Sequence, residues 1–434
     1  MSRRWRWRLW EGADWRRTLA IVFAAQLFSA TGFSIIFPFL PLYVQDLGST
    51  TGLSVELLSG LVFSAQAFTM MLASPLWGAL ADRHGRKLMV ERATFGGAVL
   101  LLLMALVQSA EQLVLLRAIQ GMITGTVSAA NALVAAEAPR ERTGFAMGLI
   151  QVALWSGISV GPLIGGAMAD AFGFRVPFVV TAVLLAGAGL LVWRGVQERF
   201  APSPRIIDQQ LSFVAEWRHV ISMRGIPLTY AVRFLSGLGR SMITPIAPLF
   251  IASLLPATAP VSSYTGLVVG VQSFAATASA VYLGRLGDRI GHRPVLIASA
   301  LAAGLFYLPQ SLVTEAWQLL VLQALTGVAS GGIVAAPSAL LARFTDPGEE
   351  GAVYGLDNSV VAGARAVAPL AGSAVAVGLN MRGTFALSGV IYLAAALISF
   401  LGLPREAAEA ERAEAPAASP SPAEVHSLDA AADD

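Results

Sequence analysis

The sequence predicts an all-α membrane protein in which twelve transmembrane helices form two six-helix, pseudo-symmetric bundles. Three observations carry that expectation. Hydrophobic residues make up 56% of the 434 and charged ones 13%, with a mean hydropathy of +0.67, whereas soluble domains carry about 25% charge; most of the chain must lie in lipid. Apolar stretches of roughly 20 residues, the length that crosses a bilayer as a helix, recur along it. The segment GALADRHGRK at Gly78 to Lys87 returns as GRLGDRIGHR at Gly284 to Arg293. Each copy is a tight charged turn between two apolar runs, and a soluble protein has little use for it.

The elements follow in order. Residues 1–18 form a basic, aromatic N-terminus, RRWRWRLW, in which Arg alternates with Trp5, Trp7 and Trp10. Arg heads at lipid phosphates and indoles at the interface suit a membrane anchor better than a nucleic-acid patch, and no nucleic-acid partner is expected. The first bundle spans 19–194, with helices near 19–44, 55–80, 88–108, 112–136, 144–170 and 176–194. Residues 195–225 form a link, and the second bundle spans 226–403, with helices near 226–252, 263–283, 294–313, 316–341, 351–378 and 383–403. The Ala-, Glu- and Pro-rich residues 404–434 cannot bury enough apolar surface to order and are expected to form a disordered tail.

Sidedness follows from the basic residues, because cytoplasmic loops retain Lys and Arg. Of 29, two (Arg175, Arg382) fall on one side, four (Arg117, Arg233, Arg240, Arg365) lie deep inside spans, and the other 23 fall in the termini, in the loops that alternate from the Asp82 loop onward, or in the span ends that adjoin those loops. Both termini are therefore expected in the cytoplasm, and the protein in the plasma (inner) membrane. The first apolar run is too long for a cleaved signal peptide. Cys is absent and the four His lie in loops or the tail, so no metal site, cofactor, disulfide or intramembrane His relay is expected.

The duplication extends beyond one loop. Pro38 and Pro41 match Pro245 and Pro248, Gly121 and Gly125 match Gly327 and Gly331, and Gly144, Gly148 and Pro162 match Gly351, Gly355 and Pro369, all at an offset of 206 or 207. An even number of helices per copy makes the repeats parallel, with a cavity at the midplane between two bundles that can rock. With these residues in view the chain resembles the major facilitator superfamily, and within it the twelve-helix drug:proton antiporters. Gly78, Leu80, Asp82, Arg83, Gly85, Arg86 and Lys87 are similar to the superfamily signature between helices 2 and 3, with Asp288 and Arg289 in the second copy. Arg117, Gln120, Gly121 and Gly125 resemble the helix 4 motif, and Gly157, Gly161, Pro162, Gly165 and Gly166 resemble the helix 5 motif associated with exporters. FPFLPLYVQDLG, NALVAAEAPRERTG and ERFAP are similar to strings of the MdtG-type multidrug-resistance pumps.

Each motif has a physical reading. Asp82, just past a helix end, can pair with Arg86 or accept from the amides of a neighbouring helix N-terminus, latching the halves; Glu137 is a candidate third member of that cluster. Gly157, Gly161 and Gly165 make a smooth stripe on helix 5 that admits another backbone, and Pro162 bends the helix; the resemblance implies an interdomain seal, the residues alone tight packing. The G-x-S-x-G string at Gly157 to Gly161 lacks the preceding strand and the His of a hydrolase.

A lipid-facing Arg at the midplane costs on the order of 3 kcal/mol, so the four intramembrane Arg must face the cavity or one another. Asp357, in helix 11, is the deep carboxylate: either a titrating proton carrier or a permanent salt bridge to an Arg. Helix 1 carries no acid, and Gln26 is its deep polar residue. A cavity with more Arg than acid suits anionic or zwitterionic amphiphiles. Its candidate lining is Gln26, Arg117, Asn131, Gln151, Arg233, Arg240, Asn358 and Arg365, together with Thr31, Gln66, Gln272, Gln323 and the aromatic Phe33, Phe37, Trp155, Phe234 and Phe274. The resulting expectation is a secondary active transporter exporting small amphipathic compounds by alternating access, with protons as coupling ion, functional as a monomer. The alternatives are a dedicated exporter or symporter of an anionic metabolite or lipid-like compound, or a membrane receptor or scaffold. An enzyme is disfavoured by the lack of His, Cys or a paired carboxylate site in the spans.

Overall fold

The computed structural model describes residues 4–139, 142–198, 213–345 and 349–404; within them the side chains of 4–14, 79, 82, 126, 128–129, 132, 136, 213–217 and 350–351 are not described. Sixteen helices occupy the described residues. In the first half they are α1 (Arg4–Ile36), α2 (Leu40–Leu47), α3 (Val55–His84), α4 (Arg86–Met104), α5 (Ala110–Ile123), α6 (Thr126–Glu137), α7 (Thr143–Phe172) and α8 (Arg175–Gly195). The short α9 (Phe213–Ser222) falls in the expected link, and the predicted tail beyond residue 404 lies outside the described residues. The second half holds α10 (Ile226–Ile243), α11 (Ala247–Leu254), α12 (Val261–Ile290), α13 (His292–Gln310), α14 (Ala316–Phe344), α15 (Glu350–Gly378) and α16 (Met381–Gly402).

Each of the twelve predicted spans coincides with one helix or a broken pair. Among the described residues, eight helices are long and apolar enough to cross a membrane, and α10 with α11, bent by 41°, makes a ninth if the pair is one span. The predicted unbroken helices 1, 4 and 7 are each interrupted. Pro38 and Pro245 withhold an amide from the helix ladder, so the chain turns at 37–39 and 244–246. In helix 4 the break follows Thr124, whose backbone is extended, at Gly125. The repeat is imperfect here, because the corresponding α14 runs unbroken past Gly327 and Gly331.

Local chemistry sets the helix ends. Ser54 and Ser109 accept from the third amide onward, Leu57 and Gln112, and Glu315 with Gln318 forms a capping box. The two signature turns are made by Gly85 and Gly291, at φ of 98° and 95°, a region that a residue with a Cβ avoids.

Six spans per half return the chain to its starting face, so both ends share one face, the terminal face; the other is the far face. Within the first half, Phe39, Tyr43, Phe174 and Phe178 fill the far end. In the second, Phe250 packs on Phe385, and Tyr307 stacks on Tyr392. The halves meet where α3 packs on α15, α7 on α12 and α2 on α11.

Candidate functional site

Between the halves lie three chambers of about 290, 190 and 230 Å³ that share one wall residue, Arg240. The first is bounded by Trp155 of α7, Thr277 and Val281 of α12 and Val334 of α14. The second runs under α11 and is lined by Ser34, Phe37 and Pro162 from the first half and by Gln272, Tyr307 and Gln323 from the second. The third holds Arg233, Arg365, Asn358 and Ser236. Arg240 reaches all three because it stands fourteen residues into α10, about 21 Å from the helix start at a rise of about 1.5 Å per residue.

The intramembrane charges divide into three kinds. Arg233 and Asp357 form a bidentate pair, Nε to Oδ1 at 2.8 Å and Nη2 to Oδ2 at 2.6 Å, with Asp357 only 4% exposed. Arg240 and Arg365 have no carboxylate at ion-pair distance among the described residues, and the chamber linings include none. Arg117 lies away from the chambers, contrary to expectation: it is 2% exposed, donates from Nη1 to Gln120 Oε1 at 2.9 Å, and stands over the Phe63 ring. Spacing on α5 placed it at depth but not on the cavity face.

Other expected lining residues also separate. Phe37, Trp155, Gln272, Gln323 and Asn358 line chambers. Gln151 lies four residues before Trp155 on the same face of α7, one turn toward the terminal face. Gln26 is buried within the first half, and Asn131, half-buried on α6, lines no chamber. Thr31 packs under Gly157, Phe33 beside Gly97, and Gln66 against Gly121, while Phe274 is exposed and Phe234 is half-buried outside the linings.

The α7 motif divides between two neighbours, its glycine stripe facing its own half and Pro162 and Gly166 the other. A Cβ on Gly157 would stand 2.7 Å from Thr31 N, one on Gly161 2.6 Å from Ser34 Cβ, and one on Gly165 would strike the Ile35 carbonyl. All three belong to α1, so the stripe packs inside its own half. Pro162 leaves the Ile158 carbonyl without its helical donor, and Ser34 Oγ fills that place at 3.0 Å. The approach to the other half is made one face over. A Cβ on Gly166 would strike Ser262, one on Gly266 the Pro162 carbonyl, and one on Gly270 would stand 2.9 Å from Leu163 Cγ.

Two carboxylates that sequence reasoning passed over take helix N-termini. Asp170, at the far end of α7, accepts from Ser262 N at 3.2 Å and Ser263 N at 2.6 Å, capping α12 from the other half. Glu198 accepts from Arg86 N at 2.8 Å and Lys87 N at 2.9 Å, occupying the α4 N-terminus beside Gly85. The signal for Glu198 was its place in the ERFAP string; Asp170 had only its isolation at the end of an apolar run. Lys87 donates to the Trp193 carbonyl at 2.9 Å, Arg83 and Arg289 are exposed, and Asp288 pairs with His292 at 3.3 Å. Gly78 has open space around it. The expected cluster of Asp82, Arg86 and Glu137 turns on the Asp82 side chain, which lies outside the described ones.

Among the described residues, the hydrogen bonds and close approaches joining the halves cluster toward the far face. Besides Asp170, Leu370 N donates to Ser64 Oγ at 3.1 Å, and Gly60 lies against Ser373. The chambers therefore sit on the terminal-face side of a closed far face.

A family model described as the Major Facilitator Superfamily matches residues 22–232 and 229–427. The multidrug resistance protein MdtG of Enterobacter lignolyticus is 35% identical over 401 residues, covering 92% of this chain and 94% of that protein. MdtG of Citrobacter koseri is 34% identical over 393 residues, covering 90% and 96%. Among solved structures, the nucleoside transporter NupG is similar at a TM-score of 0.72 and 13% identity, covering 88% of this chain and 98% of that one. A bacterial homolog of the human lysosomal transporter Spinster, inward-facing and occupied, is similar at 0.71 and 15%, covering 88% and 96%. At those identities the likeness is one of fold.

Proposed function

The chain belongs to the major facilitator superfamily, and from that premise we propose that this multi-pass membrane protein is a multidrug-type exporter that takes amphipathic anions from the cytoplasm in exchange for protons. The observation that carries the reading is Arg240. It is shared by all three chambers and meets no carboxylate there; the first chamber is otherwise apolar but for Thr277, and the polar groups of the other two are hydroxyls, amides and further Arg. A guanidinium in a site poor in water binds a carboxylate or phosphonate by charge-assisted hydrogen bonds at their strongest, while Trp155, Val334 and Phe37 take the apolar body.

Closure at the far face with chambers on the terminal side is the state that loads substrate from the face bearing the termini, and the excess of Lys and Arg in the loops there supports its being the cytoplasmic face of the plasma membrane. Export then requires the α7–α12 and α3–α15 contacts to part at the far face as the bundles rock. Asp357 is the candidate proton carrier. The bidentate geometry of its pair with Arg233 favours a second reading, in which Asp357 is a fixed strut between α15 and α10 and the proton travels elsewhere. The deciding experiment for the whole reading is transport in liposomes with an imposed pH gradient, against a panel of anionic, zwitterionic and cationic amphiphiles. Uphill movement of anions driven by the gradient is expected; movement of cations alone overturns the anion reading.

A further inference from the structure

The wall of the second chamber, next to the far-face closure, holds an unpartnered acceptor whose direction is fixed from a distance. Thr326 donates its hydroxyl to the Leu322 carbonyl at 2.8 Å, so toward Gln310 Nε2, 3.0 Å away, it acts as acceptor. The same Nε2 donates to the Phe306 carbonyl at 3.1 Å. A carbonyl has no proton to give, so the Gln310 amide cannot be turned round. Its Oε1 must accept, and it accepts from Gln323 Nε2 at 3.1 Å. Turning the Gln323 amide would set oxygen against oxygen. Left over is Gln323 Oε1, which has no partner although the side chain is 97% buried, at 3% exposure. Gln323 is part of the wall of the chamber that Arg240 also lines.

A buried acceptor held without a donor is an unfavourable arrangement unless something supplies the donor. We propose that Gln323 Oε1 is the specificity element of the cavity, accepting a hydrogen bond from a hydroxyl or N–H on a substrate whose anionic group lies at Arg240. The inference rests on the reading of the chambers as the substrate site, and it narrows the substrate class to amphipathic anions that carry a hydrogen-bond donor away from the charge. A site built to pair with a donor rejects the analogue that lacks it, because its own polar group is then left unpaired. Thr326, Gln310 and the Phe306 carbonyl are positioning groups that never touch the ligand; they keep the Gln323 amide from presenting its N–H instead.

The test uses the full chain in lipid nanodiscs and equilibrium binding of para-hydroxyphenyl alkanoates against the parent phenyl alkanoates, over a series of increasing chain length. At the chain length that spans the two groups, the hydroxylated acid is expected to bind about two- to tenfold tighter than its parent. Gln323→Met, which keeps the volume but removes both the acceptor and the donor to Gln310 Oε1, should abolish that advantage, the two acids being compared within the same variant so that any loss common to both cancels in their ratio. Gln310→Met frees the Gln323 amide to turn and should also shrink the advantage, giving a second measurement should the first variant fail to insert. Binding of both series with no hydroxyl advantage at any length overturns the acceptor assignment alone, as does an equal loss for both in Gln323→Met. Failure of every anion to bind overturns the cavity reading and the acceptor assignment with it.

Discussion

Asp170 accepts the backbone N–H of Ser263 at 2.6 Å across the boundary between the halves, and that of Ser262 at 3.2 Å with its other oxygen. The α12 helix has no side-chain cap of its own, Pro260 occupying that place, so the first half supplies the negative charge that its N-terminus attracts. Asp170→Asn should weaken the far-face closure and shift the protein toward the outward-open state. The chain has no Cys, so Thr244→Cys, in the wall of the second chamber, can report opening. Labelling by an impermeant thiol reagent from the far face should rise in the double variant; unchanged labelling would remove the latch.

The Arg233–Asp357 pair separates strut from proton carrier by a double variant. Asp357→Asn alone leaves a half-buried guanidinium without its carboxylate, with only the Val334 carbonyl as acceptor, and should cost stability, by less than the roughly 3 kcal/mol of a fully buried broken pair. Combining it with Arg233→Gln should recover most of that loss. Gradient-driven transport that returns with the stability identifies a strut; transport that stays lost while Tm recovers identifies the carrier.

Arg240→Gln should weaken binding of an anionic amphiphile by about tenfold and leave a neutral one of the same shape little changed. Because Asp357 is already held by Arg233, Asp357→Asn should not rescue it. Equal loss for both ligands in a binding titration would count against anion recognition.

Glu198, just past the end of α8 on the terminal face, closes the N-terminus of α4. Glu198→Ala should lower stability by about 1 kcal/mol, the usual loss for a helix cap, with Glu198→Gln falling between. Thermal unfolding in detergent checks this, and indistinguishable Tm values for all three proteins would exclude a capping role.

On the far face, Glu111 collects the amides of Thr50 and Thr51 and the hydroxyls of Ser49 and Thr51. Desolvation alone would raise its pKa, but hydrogen bonds from its own backbone amide, from Thr51 and from Ser49 outweigh it and hold the carboxyl well below its ordinary value of 4.5. A depressed pKa means the fastening is complete above 4.5 and is lost only as pH falls through the lower folded value. Hydrogen exchange at Thr50 and Thr51 should therefore stay protected in moderately acidic buffer; deprotection near the ordinary carboxylate range would contradict it.

The candidate lining of the chambers was legible in the sequence to different degrees. Arg240, Arg365, Asn358 and Trp155 were reached by asking which polar or aromatic groups lie deep in an apolar span, and all four line chambers. The same question misplaced Arg117 and Gln26, because depth is a coordinate along the helix and says nothing of its rotation. The glycine stripe shows the same limit. Its four-residue spacing announced a close approach, yet α1 and α12 are both neighbours of α7, and only packing assigns Gly161 to the first and Gly166 to the second.

What the sequence determined by itself was the set of spans, their duplication and their charged turns, because in lipid each backbone group must be satisfied within its own helix and so a span is a local property. Apolar length, a Pro that breaks the ladder and a Gly at positive φ are all readable in place. The tertiary structure decided which Arg owns Asp357, from 124 residues away, and that Asp170 caps a helix of the other half, 93 residues on. It also decided that a chain of amides leaves Gln323 with an acceptor to offer. These are pairings between side chains on different helices, set by small rotations and tilts that packing selects, and no local pattern along the chain records them.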